Sequence, residues 1–232
     1  METIALFLLW YPVFLFSTTL HEAAHAYVAK LGGDLTAYKG GQVSLNPLPH
    51  IRREVFGTVI VPVASFFLGR WMFGWASTPY DPAWAERNPR KAAWMSLAGP
   101  AANLSLVIAA GLLIRIGIWI GVLAAPQKAS FIEIAVAVDD GVWKGLAVLL
   151  SVTFSLNLIL VAFNLLPLPP LDGSGVLPLL LPPATAKRVR DFLHQPTFVL
   201  IGMVVAWQAI SPVLYPLQRA ALNLLYPGAG YH

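Results

Sequence analysis

The chain has 232 residues, of which 57% are hydrophobic and only 11% charged, with a formal net charge of +4. A soluble globular domain carries about 25% charged residues, so this composition excludes that class and implies an integral membrane protein embedded in the lipid bilayer. The charge is dispersed, which leaves no basic patch for nucleic acid, and the lack of cysteine excludes disulfides and thiolate metal sites.

Residues 4–29 form a first apolar run, long enough for the roughly 20 residues that a membrane span requires. No basic segment precedes it and no small-residue cleavage site follows, so the expectation is an uncleaved span. Pro12 predicts a kink, and Gly32-Gly33 an end. Within this run lies His21-Glu22-Ala23-Ala24-His25, an H-E-x-x-H pattern. Residues i and i+4 share a helix face, so both imidazoles can meet one ion. The neighbouring Glu22 falls beside that ion, where it can take a proton from water. Ionisable residues inside a span are costly and mark function by default.

Residues 34–54 are polar and irregular. Gly40-Gly41 within 35–45 predicts a short β-hairpin, and its edge strand is a candidate to hold an extended substrate. Residues 55–76 are apolar but broken by Pro62, Gly69, Arg70 and Gly74. Residues 77–91 make a Pro-rich loop. A long apolar run covers 92–125, with Gly99, Asn103 and Arg115 inside it. A loop with a short amphipathic piece follows over 126–142, then a span over 143–166 carrying Asn157 and ending near Asn164. Past a Pro-rich turn comes Asp172-Gly173. After a basic loop (Lys187, Arg188, Arg190), residues 197–226 supply one long span, or a span plus an interfacial helix.

Zinc held by two His takes a third protein ligand and keeps a position open for water. His50, His194 and His232 are possible donors, each in a loop or tail. Asp172 is the stronger candidate, on a turn stiffened by prolines that leave fewer amides to satisfy at membrane depth. Asn103 and Asn157 read equally well as support for the site or as helix–helix hydrogen bonding. Arg70 and Arg115 read as snorkelling, and Gly99 reads as close helix packing.

HEAAHA in the first span and NLLPLPPLDG after a later one, with SLNPLPHI and RNPRKAAWMSLAGPAANL between, resemble the site-2 protease family of intramembrane zinc metalloproteases, in its short bacterial and archaeal branch. The resemblance covers about residues 17–175. It implies His21, His25 and Asp172 as ligands of one zinc ion per chain, Glu22 as catalytic base, and a role for Asn164 near the scissile carbonyl. It also implies an active site nearer the cytoplasmic face of the cell membrane, in a multi-pass protein. The family often continues D-G-G-R where this chain has Asp172-Gly173-Ser174-Gly175, so any role of that Arg is missing. Neither a PDZ nor a CBS segment is recognisable.

Zinc geometry adds a parity argument. His25 and Asp172 must reach one ion from the same side, which requires three spans before Asp172 and makes 55–76 a re-entrant segment. The expected fold is an all-α polytopic membrane protein, one domain over 1–232, with about four to five transmembrane helices, a re-entrant segment and a short β-hairpin. The expected function is hydrolysis of peptide bonds in or near transmembrane segments of membrane-protein substrates. The alternative is a non-hydrolytic membrane zinc-binding or transport protein, which would not need Glu22. The sequence leaves oligomeric state open.

Overall fold

The structure, a computed structural model, describes residues 3–193 and 195–231. In chain order it contains α1 (Thr3–Gly32), α2 (Thr36–Lys39) and α3 (Pro47–Arg53), then a π-helical turn Phe56–Ile60 that runs into α4 (Val61–Gly69). Next come α5 (Pro82–Arg87), α6 (Pro89–Trp119), the strands β1 (Leu123–Ala124) and β2 (Val136–Ala137), and α7 (Val142–Asn164). The chain closes with α8 (Asp172–Val176), a 3-10 turn Leu177–Leu179, α9 (Pro183–Leu193) and α10 (Pro196–Leu225). Among the described residues four helices are long and apolar enough to cross a membrane: α1, α6, α7 and α10.

The helix α1 runs without interruption through Pro12. Its end is set by two glycines with different tasks. Gly33 adopts φ +102, and the amides of Gly33 and Asp34 return to the carbonyls of Lys30 (3.1 Å) and Ala29 (2.9 Å). This is the Schellman arrangement, which calls for a left-handed residue. Gly32 leaves space for the Trp84 ring, whose Nε1 donates to the Gly32 carbonyl at 3.1 Å.

The β-hairpin expected over 35–45 does not form. The Asp34 carboxylate accepts the Thr36 amide and hydroxyl at 2.9 and 2.6 Å, an Asx turn that competes with strand pairing. It starts the short helix α2, which Gly40 and Gly41 then close. The antiparallel pair lies elsewhere, with Leu123 opposite Ala137 and Ala124 opposite Val136. β1 falls at the end of the apolar run expected over 92–125, and β2 in the following loop expected to hold an amphipathic piece. The expected basic loop around Lys187 and Arg188 is helical, within α9. The last apolar stretch is a single helix, α10, despite Pro212 and Pro216.

The segment after α3 is re-entrant in form. Its helical part has five plus nine residues, about 20 Å of rise against a hydrocarbon core of about 30 Å. Arg70 ends it in a left-handed conformation, φ 57. The chain then returns without regular secondary structure, and the Trp75 amide donates to the Gly57 carbonyl at 3.0 Å. A Cβ on Gly57 would strike the Trp75 carbonyl and ring, so glycine is what lets the return lie so close. The Phe73 amide finds Ser65 Oγ at 2.9 Å. Non-helical backbone at membrane depth needs such partners.

The chain folds into two compact units. One comprises residues 1–17, 103–162 and 211–232. Its apolar core includes Val107, Ile114, Ile134, Phe154 and Leu222. The strand loop is tied down inside it, because Ser151 Oγ accepts the amides of Ile134 and Ala135 and Tyr226 donates to the Ile134 carbonyl at 2.6 Å. Asn103 donates to Asn157 at 2.8 Å and Asn157 to Ser17 Oγ at 2.9 Å, all three fully buried, so both asparagines serve as interhelical polar links. Arg115 donates to the Leu225 carbonyl at 3.2 Å and caps α10, a more specific task than snorkelling. The other unit, residues 18–102 and 163–210, holds the H-E-x-x-H motif and Asp172.

The helix order makes a topological prediction on a cysteine-free chain. Single cysteines at Lys39 and Arg87 are expected to react with a membrane-impermeant maleimide from one side, and a cysteine at Lys128 from the other. Labelling of Lys39 and Arg87 from opposite sides would show that Phe56–Gly69 crosses the membrane.

Candidate metal centre

His21 and His25 lie one turn apart on α1, both buried, with their Nε2 atoms 3.0 Å apart. Asp172 opens α8 directly after the Pro-rich turn. Its Oδ2 lies 3.1 Å from His21 Nε2 and its Oδ1 3.3 Å from His25 Nε2. Two nitrogens and two carboxylate oxygens thus converge on one point. Zinc with tetrahedral bonds of about 2.0–2.1 Å separates its ligand atoms by about 3.3 Å, and the observed spacings are close to that edge. Asp172 Oδ2 is buried and has no hydrogen-bond donor beyond that ion-pair contact, an orphaned oxygen that a cation would satisfy.

The tautomer of His25 is fixed from behind. Its Nδ1 lies 2.6 Å from the Met95 carbonyl, which can only accept, so Nδ1 carries a proton and in the neutral ring Nε2 presents its lone pair. Gly99, on the same helix as Met95, faces the ligand atoms. A Cβ built there would collide with Nε2 of both His21 and His25. Gly99 therefore leaves volume at the two imidazole Nε2 atoms, beyond the packing role read from the sequence. Glycines also seat the Asp172 turn. A Cβ on Gly173 would meet the Leu165 and Leu166 carbonyls, one on Gly175 would meet Ser96, and one on Gly202 would meet the Pro169 carbonyl.

Glu22 is buried and offers a carboxylate oxygen within 4.8 Å of the imidazole donors. His21, Glu22 and His25 thus form one cluster of possible donors, while the short contacts to both Nε2 atoms come from Asp172. The two carboxylates have different surroundings, because Glu22 Oε2 is engaged by the Thr78 hydroxyl at 2.7 Å. Thr78 lies on the extended return of the re-entrant segment, in a loop where the sequence carried no signal for it. Asn164 is the last residue of α7 and is half-buried. His50 is buried with Nε2 against the Ser44 carbonyl at 3.1 Å, engaged by its own loop. His194 and His232 lie outside the described residues.

A second anchor sits at the end of α1. Asp34 Oδ1 holds Thr36, and Oδ2 accepts the Asp81 amide at 2.8 Å. Burial raises the Asp34 pKa, but the hydrogen bonds from Thr36 and from the Asp81 amide outweigh it and hold the carboxyl below its ordinary value.

A sequence profile of peptidase family M50 matches residues 10–207. The chain belongs to peptidase family M50. Among curated relatives, "Putative zinc metalloprotease YwhC" of Bacillus subtilis is 34% identical over 205 residues, 88% of this chain and 83% of the relative. "Putative zinc metalloprotease Rip2" of Mycolicibacterium smegmatis is 32% identical over 213 residues, 90% of this chain and 70% of the relative. No solved structure matches the chain. Membership in M50 makes the chain an intramembrane zinc metalloprotease, and the site lies among its membrane-length helices.

Two outcomes test this geometry. Gly99→Ala is expected to abolish most zinc binding, measured by metal analysis of the purified protein, because the added methyl occupies the space at both Nε2 atoms. Asp34→Asn is expected to lower the thermal midpoint at neutral pH. A carboxyl with a depressed folded pKa stabilises fully above its unfolded value, about 3.9, and loses that contribution as pH falls through the folded value. The gap between wild type and Asp34→Asn is therefore expected to close in melts taken progressively below about pH 4.

Proposed function

We propose that His21, His25 and Asp172 hold one zinc ion per chain, and that Glu22 is the general base and acid for hydrolysis of peptide bonds in or near transmembrane segments of membrane-protein substrates. The supporting observation is the convergence of both Asp172 oxygens on the two Nε2 atoms, with Gly99 leaving the volume they face. Two neutral imidazoles and one carboxylate leave a divalent ion with net positive charge, the donor set of a hydrolytic rather than a structural zinc site. When bound there, zinc supplies Lewis-acid polarisation of a carbonyl and a water of lowered pKa.

The chain's own residues supply the remaining steps. The Glu22 carboxylate accepts a proton from the attacking water as the water oxygen bonds to the carbonyl carbon. It returns that proton to the departing amine nitrogen as the C–N bond breaks. Asn164, placed at the end of α7 before the Asp172 turn, is proposed to donate its amide to the carbonyl oxygen as charge develops there. A substrate helix hides its carbonyls in its own hydrogen bonds, so the segment to be cut must unwind. The part-exposed extended stretch over 72–80, which reaches Glu22 through Thr78, replaces the absent 35–45 hairpin as the surface to receive it. We place all of this in one metalloprotease domain over 1–232 in the cell membrane, since a single M50 profile runs from residue 10 to residue 207.

Glu22→Gln keeps shape and hydrogen-bonding capacity but cannot take a proton at neutral pH. The expected product is a folded, zinc-loaded protein whose cleavage of a membrane substrate is slowed about 10²–10⁴-fold. His21→Ala, His25→Ala and Asp172→Ala are each expected to lose zinc, since two remaining ligands hold it poorly. Wild-type cleavage by Glu22→Gln would remove the base. Loss of zinc from Glu22→Gln as complete as from His25→Ala would make Glu22 a ligand and favour a zinc carrier. Full zinc in Asp172→Ala would discard the third ligand.

A further inference from the structure

We infer that Thr78 is a positioning residue for the general base, fixing the Glu22 carboxylate so that one oxygen faces the reacting water. The inference rests on the assignment of Glu22 as that base. Thr78 Oγ1 lies 2.7 Å from Glu22 Oε2 and 2.9 Å from the Glu22 main-chain carbonyl. The hydroxyl has one proton to give, and a charged acceptor at shorter range takes it in preference to a neutral one. Oε2 is then occupied and Oε1 is left to accept a proton. A glutamate side chain has several rotatable bonds, and in a buried site beside the ligands an unfixed carboxylate has other places to point. Displacement of a catalytic group by about 1 Å costs up to ~10²-fold in rate.

The hydroxyl is itself held by a chain that has little freedom. Pro79 confines Thr78 to extended backbone, and β-branching limits its χ1. Upstream, the Trp75 amide is fixed on the Gly57 carbonyl at 3.0 Å. Gln42 Nε2 donates to the Ser77 carbonyl at 3.3 Å, and Ser77 Oγ donates to Glu54. Downstream, the Asp81 amide is fixed on Asp34 Oδ2 at 2.8 Å. Asp34 directly follows the αL glycine that ends α1, the helix bearing Glu22. This stretch is therefore held on both sides of Thr78, and one of those contacts comes from the residue just past the end of the base's own helix.

The test compares Thr78→Val, which keeps the shape and removes the hydroxyl, with Thr78→Ser, which keeps the hydroxyl. Thr78→Ala serves as the second hydroxyl-free variant should Val not fold. The expected result for the hydroxyl-free variants is a kcat lowered about 10–100-fold, with KM within about twofold and zinc content equal to wild type, and Thr78→Ser recovering most of the rate. Independently of activity, thermal midpoints of the chelator-treated protein form a cycle of wild type, Thr78→Val, Glu22→Ala and the double variant. The double variant is expected to fall by less than the sum of the single ones, because both remove the same bond. Wild-type kcat in Thr78→Val while Glu22→Gln is inactive overturns the inference and leaves the base assignment standing. So does a change confined to KM, or strict additivity in the cycle. Full activity in Glu22→Gln fails the base assignment itself, while the melting cycle still reports whether the bond exists.

Discussion

The carboxylate of Asp172 faces two imidazoles from a distant part of the chain, at 3.1 and 3.3 Å. An ionised oxygen pair and two ring nitrogens in a protein built for lipid are tolerable only when they satisfy one another or a cation. Much of the local architecture serves that meeting. Gly99 keeps the front of the nitrogens open, Met95 orients His25, and Gly173, Gly175 and Gly202 let the Asp172 turn lie against backbone and small side chains that a Cβ would strike. The glycines are therefore spatial requirements of this cluster, and each is a position where a methyl group would strike the neighbouring atoms.

The second demand on the structure is water. A hydrolytic site between apolar helices has to admit it, and the re-entrant segment is where the backbone departs from helix. Its polar groups are met singly: Trp75 by Gly57, Phe73 by Ser65, Ser77 by Gln42. These bonds hold the returning chain without a regular sheet, and Thr78 on it reaches Glu22. The hairpin expected over 35–45 is absent, because the Asp34 Asx turn starts α2 there instead.

The departure from the D-G-G-R pattern of the site-2 proteases has a local counterpart. Gly175 stands where that pattern has Arg, and a Cβ there would collide with Ser96 Oγ. In this M50 peptidase the turn after Asp172 thus closes on α6 directly, and the chain as folded has no room for a long side chain at that position. The pairing of Ser96 with Gly175 belongs to the same small-residue packing that brings Asp172 to the histidines.

Some of this was written in local sequence. The i, i+4 spacing of His21 and His25 on an apolar run determined a shared helix face, and apolar length determined α1, α6, α7 and α10, because both depend only on helix periodicity and hydropathy. The breaks at Pro62 and Gly69, with the parity of spans that one shared ion requires before Asp172, pointed to a re-entrant segment. Gly33 as the stop of α1 followed from its tolerance of positive φ. The tertiary structure alone decided the rest. Thr78 sits in a Pro-rich loop with no periodicity or motif, and only the return of the chain past Gly57 brings its hydroxyl to Glu22. Gly99 read as packing until its missing Cβ was seen to face two nitrogens. The strand pairing of 123–124 with 136–137 is too short to leave a pattern, and it forms because Ser151 and Tyr226 gather that loop from elsewhere in the chain. Local spacing fixes which residues share a face; which faces meet, and what space remains between them, is set by packing between residues far apart in the sequence.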